Sequence, residues 1–301
     1  MSPDPPGALR PGALRPGVLH IVATPIGNPD DCSPRARAVL GAVPLVLAED
    51  TRRAGLLLQR LGVVRTGRLV SLHEHNEAAR IPAVLAALAA GEDAALITDA
   101  GTPLVSDPGY RLVAACREAG LPVTPVPGPC AAVAALSACG LPPQPFTLLG
   151  FGPRRAGQLR GLLARHAATG ATLVLYERAD RLAATLAAAA QALGPREIRI
   201  CRELTKTYEE FIPGRLDALD ALADRLADLR GEVTLVIGPA ALPDAADPGP
   251  DAPGGRADEA AVRRLIDEER AAGGKPRQVA RRVAARLIGW TADEVYETMR
   301  R

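Results

Sequence analysis

The sequence of 301 residues has few lysines, few aromatic residues and no long apolar run. Only two of its 36 basic residues are lysines, Lys206 and Lys275, and 34 acidic residues leave a net charge of +2, which gives no global sign of a nucleic-acid partner. Aromatic residues make up 3% of the chain, which argues against a module that binds single strands by stacking bases. No apolar run reaches the roughly 20 residues of a membrane helix, so we expect no membrane contact.

Cysteine pairs and targeting sequences are also missing. The five cysteines are odd in number and widely spread, without a Cys-x-x-Cys pair, which argues against a disulfide framework and a zinc ribbon. Residues 1–17 are rich in proline and glycine and lack the continuous apolar core of a signal peptide, so we expect a flexible tail there. Together these features predict a cytoplasmic protein.

Several catalytic motifs are absent as well. The chain has no Gly-x-x-x-x-Gly-Lys-[Ser/Thr] sequence, which excludes a P-loop nucleotide site. It has no Gly-x-Gly-x-x-Gly after its first predicted strand, which leaves a dinucleotide fold unsupported. The Gly-x-Ser-x-Gly and His-Glu-x-x-His motifs of hydrolases and metalloproteases are missing too.

The chain does contain a regular alternation of apolar runs and helical periodicities. Strand-like runs separated by helical stretches predict two α/β domains with mostly parallel sheets, an N-terminal one over 18–143 and a second over 144–239. A linker over 240–256 and a small helical module over 257–301 follow. The predicted strands cover residues 18–23, 45–48, 69–72, 94–98 and 123–126 in the first domain and 146–150, 172–176, 198–202 and 233–237 in the second, where a helix is also expected over 216–229.

Polar or glycine-rich loops follow five predicted strands of the first domain. Because parallel sheets bind ligands beyond the carboxyl ends of their strands, we expect these loops to form one site. They span residues 24–28, 49–53, 73–77, 99–109 and 127–131, and residues 202–206 follow a strand of the second domain in the same way. His73 and His75 would share one face of a strand as a candidate metal pair, but no third ligand lies at a suitable spacing, so we expect no metal.

In this order the loops resemble those of the tetrapyrrole-methylase superfamily, and within it the branch that acts on ribosomal RNA. The matching stretches are ATPIGN at 23–28, AEDTR at 48–52, HEHNE at 73–77, DAGTP at 99–103, DPGY at 107–110, PGPCAA at 127–132, LSACGLP at 136–142 and RELTK at 202–206. Any one stretch is unspecific, whereas eight in order across most of the chain are very specific. The sequences at 150–153 and 178–181 depart from the usual family pattern.

The resemblance implies S-adenosylmethionine as cofactor, folded into a cleft between two α/β domains, and usually a homodimer. Its substrate would be the ribose 2′-oxygen of a cytidine in the decoding region of 16S rRNA, as naked RNA or in the small ribosomal subunit. The residues that the resemblance assigns to the cofactor site are Pro25, Gly27, Asp99, Gly101, Thr102, Pro103, Val105, Ser106, Cys130 and Ala131, with Tyr176, Leu204 and Ile237 from the second domain.

RNA contacts are expected from two parts of the chain. In the first domain, the residues that would position RNA are Arg52, Arg53, His75 and Asn76. In the helical module, Lys275, Arg277 and Arg281 belong to a run of basic residues that also holds Arg282 and Arg286. Because no acidic residue interrupts that run, one face of the module is expected to meet RNA phosphates.

Methyl transfer to a hydroxyl needs no metal, but it needs a group that takes the proton. Glu49, Lys206 and His75 are candidates, and we expect Glu49 and Lys206 to form the catalytic pair. A lysine serves as base only if burial lowers its pKa; if it stays charged, it orients phosphate or stabilises negative charge. Three other functions stay open: a sister methylase acting on a small tetrapyrrole or on diphthamide, a metallohydrolase built on His73 and His75, and a non-catalytic RNA-binding module.

Overall fold

A computed structural model of the protein describes residues 15–240, 259–271, 273–287 and 290–300. Most of the predicted tail (1–17) and of the predicted linker (240–256) lies outside these ranges. The chain divides into two compact units, residues 1–240 and 241–301, and both β-sheets belong to the first.

Five short parallel strands form the first sheet. They are β1 (Leu19–Val22), β2 (Leu45–Ala48), β3 (Arg68–Ser71), β4 (Ala94–Ile97) and β5 (Val123–Val126), in the spatial order β3-β2-β4-β1-β5.

Helices cover both faces of this sheet, which explains why the inner strands β2 and β4 are apolar at every position. They are α1 (Pro34–Ala42), α2 (Thr51–Arg60), α3 (Glu77–Ala89) and α4 (Tyr110–Glu118). A further helix, α5 (Ala131–Ala138), follows β5, and a 3-10 helix lies at Pro29–Asp31. One face packs against α1 and α2, the other against α3 and α4. Ser33 caps α1 by accepting a hydrogen bond from the Ala36 amide at 3.1 Å, and Pro34 stands in the first turn, where its missing N–H costs nothing.

The second sheet is mixed, so the expectation of mostly parallel order holds for the first sheet and not for this one. Its strands are β6 (Phe146–Phe151), β7 (Thr172–Arg178), β8 (Glu197–Arg202), β9 (Glu210–Arg215) and β10 (Glu232–Ile237), in the order β6-β7-β10-β8-β9. Only the β6–β7 pair is parallel. The antiparallel order comes from β10, which runs opposite to both of its neighbours, β7 and β8. The edge strand β9 is also antiparallel, and the sequence does not predict it because Pro213 and Gly214 interrupt it. At the edge of a sheet a proline is tolerated, because no neighbour needs its missing N–H.

Two layers of side chains cover the second sheet. The helices α6 (Ala156–His166) and α7 (Ala179–Leu193) pack on one face around Leu173, Leu175 and Leu235. On the other face, Val174, Cys201 and Val236 pack against Ala132 and Ala135 of α5, a helix of the first domain, and this contact joins the two domains. The helix expected over 216–229 is shorter than predicted: a 3-10 helix at Leu219–Leu222 leads into α8 (Ala223–Ala227). A separate 3-10 helix follows α6 at Ala167–Thr169.

The second unit is a small helical module with its own apolar core. Its helices are α9 (Glu259–Ala271), α10 (Pro276–Ala285) and α11 (Ala292–Arg300). Val262, Ile266, Val279, Val283 and Val295 meet in their centre. Among the described helices of both units, none is long and apolar enough to cross a membrane.

A buried carboxylate supports the helix that follows the long loop after β4. The first residue of α4 is preceded by Gly109, which has no side chain to cap the helix. Instead Glu77, at the start of α3 and 5% exposed, accepts a hydrogen bond from the Leu112 amide at 3.0 Å. This bond satisfies one of the free amides of the first turn, which otherwise would be buried without a partner.

We therefore expect Glu77→Ala to lower the free energy of unfolding by about 1–3 kcal/mol, because it leaves the Leu112 amide without an acceptor. Glu77→Gln keeps an acceptor oxygen and should lower the free energy of unfolding by less than Glu77→Ala does. Urea denaturation measures both changes, with the exposed Glu118→Ala at the other end of α4 as the control. Equal stability of Glu77→Ala and Glu118→Ala would contradict a capping role for Glu77.

Candidate functional site

A cleft of about 720 Å³ lies between the two α/β domains. The first domain lines it with residues 98–102 and 105–107, which follow β4, with Cys130 and Ala131 at the start of α5, and with Ile26 and Glu49. The second domain contributes the ends of β6, β7 and β10 and the loop after β8. The cleft therefore lies at the carboxyl edge of the parallel sheet, where ligands of α/β sheets bind.

The loop after β4 is held rigidly and is strained. Thr24 and Gly101 form an isolated antiparallel bridge, with N–H···O distances of 2.8 and 3.1 Å, and the Thr102 hydroxyl donates to the Pro129 carbonyl at 3.0 Å. Leu104 and Ser106 have positive φ angles of 70° and 72°, which cost free energy in residues other than glycine. Strain of this kind concentrates at ligand sites, where it fixes backbone amides and carbonyls in position.

One row of side chains across the second sheet forms the opposite wall. Tyr176 on β7, Thr234 on β10 and Cys201 on β8 are paired in register, so that their side chains face the same side of the sheet. The Tyr176 hydroxyl lies 3.9 Å from the Cys130 sulfur, within the distance of a weak hydrogen bond, and so links this wall to α5. Burial raises the pKa of Tyr176, and it raises the pKa of Cys201 to about 12, so both groups stay neutral.

The loop between β8 and β9 reaches back to the first domain. Its residues Glu203 and Thr205 have positive φ angles of 49° and 64°. The Asn28 amide donates to the Thr205 hydroxyl at 3.1 Å. A Cβ atom on Gly27 would lie 2.5 Å from Cγ of Lys206, so only glycine allows this approach. Gly27 therefore shapes the site by letting the two loops meet and does not itself line the cleft.

Lys206 is held between two carboxylates. Its Nζ lies 2.7 Å from an oxygen of Glu232 and 3.0 Å from an oxygen of Glu203. Burial works against the charged form, but the hydrogen bonds and charges of Glu232 and Glu203 outweigh it and raise the pKa of Lys206. Of the two roles that the sequence leaves open for this lysine, the geometry favours the charged one: in this conformation Lys206 is an ammonium ion and cannot take a proton.

Three carboxylates face the cleft from the first domain. Burial, followed by the charge of Asp99, raises the pKa of Glu49. Burial also raises the pKa of Asp107 to about 6, against a hydrogen bond from Thr98 that favours its ionised form. The third carboxylate, Asp99, pairs with Arg53 at 2.8 Å. The arrangement provides in Asp107 a group that can exchange a proton near neutral pH, together with carboxylates suited to a cationic ligand.

Most of the predicted cofactor residues come together in this cleft. Those that line it, with the two predicted catalytic residues, are Asp99, Gly101, Thr102, Val105, Ser106, Cys130, Ala131, Tyr176, Leu204, Glu49 and Lys206. Pro25 and Pro103 are buried beneath the loops, and Ile237 points into the core under α6 and α7, away from the cleft lining. Lining residues that the sequence reasoning missed include Asp107, Phe151 and Thr234; the aspartate stands in the DPGY stretch, while the other two carry no signal of their own.

The predicted RNA residues of the first domain lie beside the cleft and do not line it. Arg52 is exposed and pairs with Asp50, whose carboxylate caps α2. The Asn76 side chain accepts from the His73 amide at 2.8 Å and donates to the Ser71 carbonyl at 3.2 Å, so it holds the turn after β3. His75 is exposed in that turn, so the placement of the two histidines in a strand is wrong: β3 already ends at Ser71.

A metal site on the histidines finds no support in the arrangement around them. The rings of His73 and His75 are 6.0 Å apart, edge to face. In the part of the chain that the structure describes, no group of three or more His, Cys, Asp or Glu residues is placed to hold a metal ion.

The basic run of the helical module is partly neutralised. Arg282 and Arg286 pair with Glu269 at 2.7 and 2.9 Å, so the expectation of an uninterrupted basic face fails at these two positions. The acid that pairs with them comes from α9, a different helix, which the local sequence does not reveal. Lys275, Arg277 and Arg281 are exposed, and Arg277 lies over the ring of Tyr296 at 5.7 Å.

Comparison with known proteins identifies the fold and the relatives of this chain. The family model described as tetrapyrrole (corrin/porphyrin) methylases matches residues 18–220. A relative from Micromonospora olivasterospora, named ribosomal RNA small subunit methyltransferase I, is 42% identical over 282 residues, which cover 94% of this chain and 86% of that protein. A protein of the same name from Escherichia coli O157:H7 is 46% identical over 221 residues, covering 73% and 77% of the two chains.

Solved structures show the same fold. The methyltransferase CobJ superposes with a TM-score of 0.57 at 20% identity, over 75% of this chain and 95% of its own. A uroporphyrin-III C-methyltransferase from Thermus thermophilus, solved in complex with S-adenosylhomocysteine, superposes with a TM-score of 0.54 at 20% identity, over 74% and 97% of the two chains. The resemblance seen in the sequence is confirmed, and the chain belongs to the tetrapyrrole methylase family.

Proposed function

We propose that this protein transfers a methyl group from S-adenosylmethionine to the ribosomal RNA of the small subunit, at the ribose 2′-oxygen of a cytidine in the decoding region. The observation that carries the proposal is the cleft: strained loops of one domain and a polar row of the other enclose about 720 Å³, in the size range of small-molecule sites. The names of the relatives support an rRNA substrate over a small tetrapyrrole or diphthamide.

The residues of the cleft fit the proposed cofactor. When bound, S-adenosylmethionine supplies a methyl group on a positively charged sulfur. The carboxylates of Glu49, Asp99 and Asp107 provide negative charge for that cation, and the fixed backbone around Gly101 offers amides and carbonyls. Cys130, Ala131, Tyr176 and Leu204 provide an apolar and weakly polar surface for the nucleoside.

Glu49 and Lys206 have different roles in the proposed transfer step. A carboxylate with a raised pKa is a better proton acceptor than an ordinary one, which suits Glu49 to take the proton of the ribose hydroxyl. The charged Lys206 cannot accept that proton; it is suited instead to hold a phosphate or to stabilise the negative charge that develops on the attacking oxygen.

RNA binding would use exposed side chains outside the cleft. Arg52, Arg53 and His75 lie beside it in the first unit. In the helical unit, Arg277 and Arg281 lie on α10 and Lys275 directly precedes it. Asn76 would act by holding the turn that carries His75. A homodimer in the cytoplasm, where small subunits are available, completes the proposal.

Filling part of the cleft with a larger side chain should weaken cofactor binding. Ala131 lines the cleft at the start of α5, whereas Val133 on the same helix is 58% exposed and lies outside it. We expect Ala131→Tyr to raise the Kd for S-adenosylmethionine at least about tenfold in calorimetric titration, a loss of about 1.4 kcal/mol, while Val133→Tyr binds like the wild type. Equal affinity of both variants would place the cofactor elsewhere.

Replacing the proposed proton acceptor should slow turnover. We expect Glu49→Gln to lower kcat for transfer of labelled methyl groups to small subunits by about 10²–10⁴-fold, with an unchanged Kd for S-adenosylmethionine. Because the pKa of Glu49 is raised, wild-type kcat should fall with decreasing pH at a higher pH than an ordinary glutamate would give. The exposed Glu74→Gln is the control. If Asp107→Asn shows the loss and Glu49→Gln does not, Asp107 is the acceptor instead.

Removing the lysine charge should also reduce kcat. We expect Lys206→Met, which keeps the apolar stem against Gly27, to lower kcat by about 10²-fold, whereas Lys206→Arg retains part of the activity because it keeps the positive charge. Single-turnover methylation at saturating cofactor measures both. A Lys206→Met variant with the wild-type rate would remove Lys206 from the mechanism.

A further inference from the structure

A β-bulge in β6 decides which way Phe151 points. In the pairing with β7, Leu148 lies opposite Val174, Gly150 opposite Leu175 and Phe151 opposite Tyr176, so that three steps along β6 match two along β7. Leu148 packs with the core around α5, and Leu149 packs with the core around α6 and α7. Regular alternation would then direct residue 150 to the cleft side and residue 151 to the buried core on the other side.

The extra residue reverses this direction. Phe151 lies on the cleft side next to Tyr176, with the two ring centroids 5.6 Å apart and the planes inclined by 57°. Although it lines the cleft, Phe151 is 61% exposed, so its ring forms part of the rim. A bulge that moves an aromatic ring from a core to the solvent gives up burial of that ring, which is worth about 1.5–3 kcal/mol. The exposed position of the Phe151 ring therefore does not increase the stability of the fold.

Close contacts on both sides constrain the backbone that carries the ring. Gly150 has a positive φ of 64°, and a Cβ atom there would lie 2.6 Å from the Ser106 hydroxyl oxygen of the cleft loop. A Cβ atom on Gly152 would lie 2.8 Å from Leu159. Beyond it, Arg181 donates to the Pro153 carbonyl at 3.4 Å. The backbone on both sides of Phe151 is thus closely packed, and the ring itself contacts Tyr176.

Positive charge follows the ring directly in the sequence. Arg154 and Arg155 are exposed, and within the residues that the structure describes neither forms an ion pair. Arg178, on the neighbouring strand, is in contrast paired with Asp180. An exposed ring followed by unpaired guanidinium groups offers stacking for a base and contacts for the adjoining phosphates, which is how proteins hold unpaired nucleotides.

We propose that Phe151 is the surface on which a nucleobase of the RNA substrate stacks, at or next to the nucleotide that is methylated. This proposal rests on the proposed function, because it assigns the rim of the same cleft to the acceptor. It places the base of the RNA, and not the adenine of the cofactor, on the ring. Most of the cofactor residues proposed above lie on the loop after β4 and the start of α5. Tyr176 is the one that contacts the Phe151 ring, and Phe151 lies on its exposed side at the rim.

The test compares three variants of the full chain. Phe151→Leu removes the ring and keeps an apolar side chain, Phe151→Trp restores a larger ring, and Phe146→Leu changes a 43% exposed phenylalanine at the other end of β6, outside the cleft lining. For each, we would measure the Kd for S-adenosylmethionine by calorimetry and the KM for small ribosomal subunits that lack the methyl group. Binding to naked 16S rRNA would be measured in parallel.

We expect Phe151→Leu to raise the KM for subunits, and the Kd for naked rRNA, by about tenfold, the effect of losing one base–aromatic stack. The Kd for S-adenosylmethionine should stay within about twofold of the wild type. Phe151→Trp should bind RNA like the wild type, and so should Phe146→Leu.

Two outcomes overturn the proposal: unchanged RNA binding in Phe151→Leu, or a weakened affinity for S-adenosylmethionine that accounts for the whole effect, which would assign the ring to the cofactor. Failure of the proposed function is distinguishable, since it appears as absence of methyl transfer by the wild-type chain. The naked-rRNA titration then still decides whether Phe151 binds bases.

Discussion

The site depends on the packing of α5 against the second sheet. This helix belongs to the first domain by sequence, yet its small side chains, Ala132 and Ala135, lie against Val174, Cys201 and Val236 of the second. Small residues let a helix approach a sheet closely, and the close approach brings the loop after β4 opposite the polar row of β7, β8 and β10. Without this contact the two halves of the cleft would have no fixed distance from each other.

A second, polar contact reinforces the first at the mouth of the cleft. The hydrogen bond from the Asn28 amide to the Thr205 hydroxyl joins loops that are 177 residues apart in the chain. Because Gly27 has no side chain, it leaves room for the aliphatic part of the Lys206 side chain. The strained backbone at Leu104, Ser106, Glu203 and Thr205 belongs to the same region. Packing supplies the free energy that keeps these residues in unfavourable conformations, so the conformational strain of the protein is concentrated around its site.

The sequence predicts the parts of the site that depend on local patterns. The loops at the ends of the parallel strands follow from the strand pattern and the topology of parallel sheets. The sequence does not predict β9, because its edge position makes Pro213 acceptable only in the tertiary context. It also does not predict Thr234 or Phe151, because the direction of a strand residue depends on register, and one bulge reverses it. The ion pairs of Lys206 with Glu232 and of Arg282 and Arg286 with Glu269 are missed for a related reason, since these partners lie on other elements.

The near absence of lysine has a practical consequence for spectroscopy. The chain has two ε-amino groups, one in the cleft at Lys206 and one at Lys275, which precedes α10 in the helical unit. Lysine labelled with ¹³C and ¹⁵N would therefore give two side-chain signals, one from each compact unit. The chemical shift of the Lys206 side chain depends on Glu203 and Glu232 and would change with any ligand that disturbs these ion pairs. The chemical shift of the Lys275 side chain reports on the helical unit.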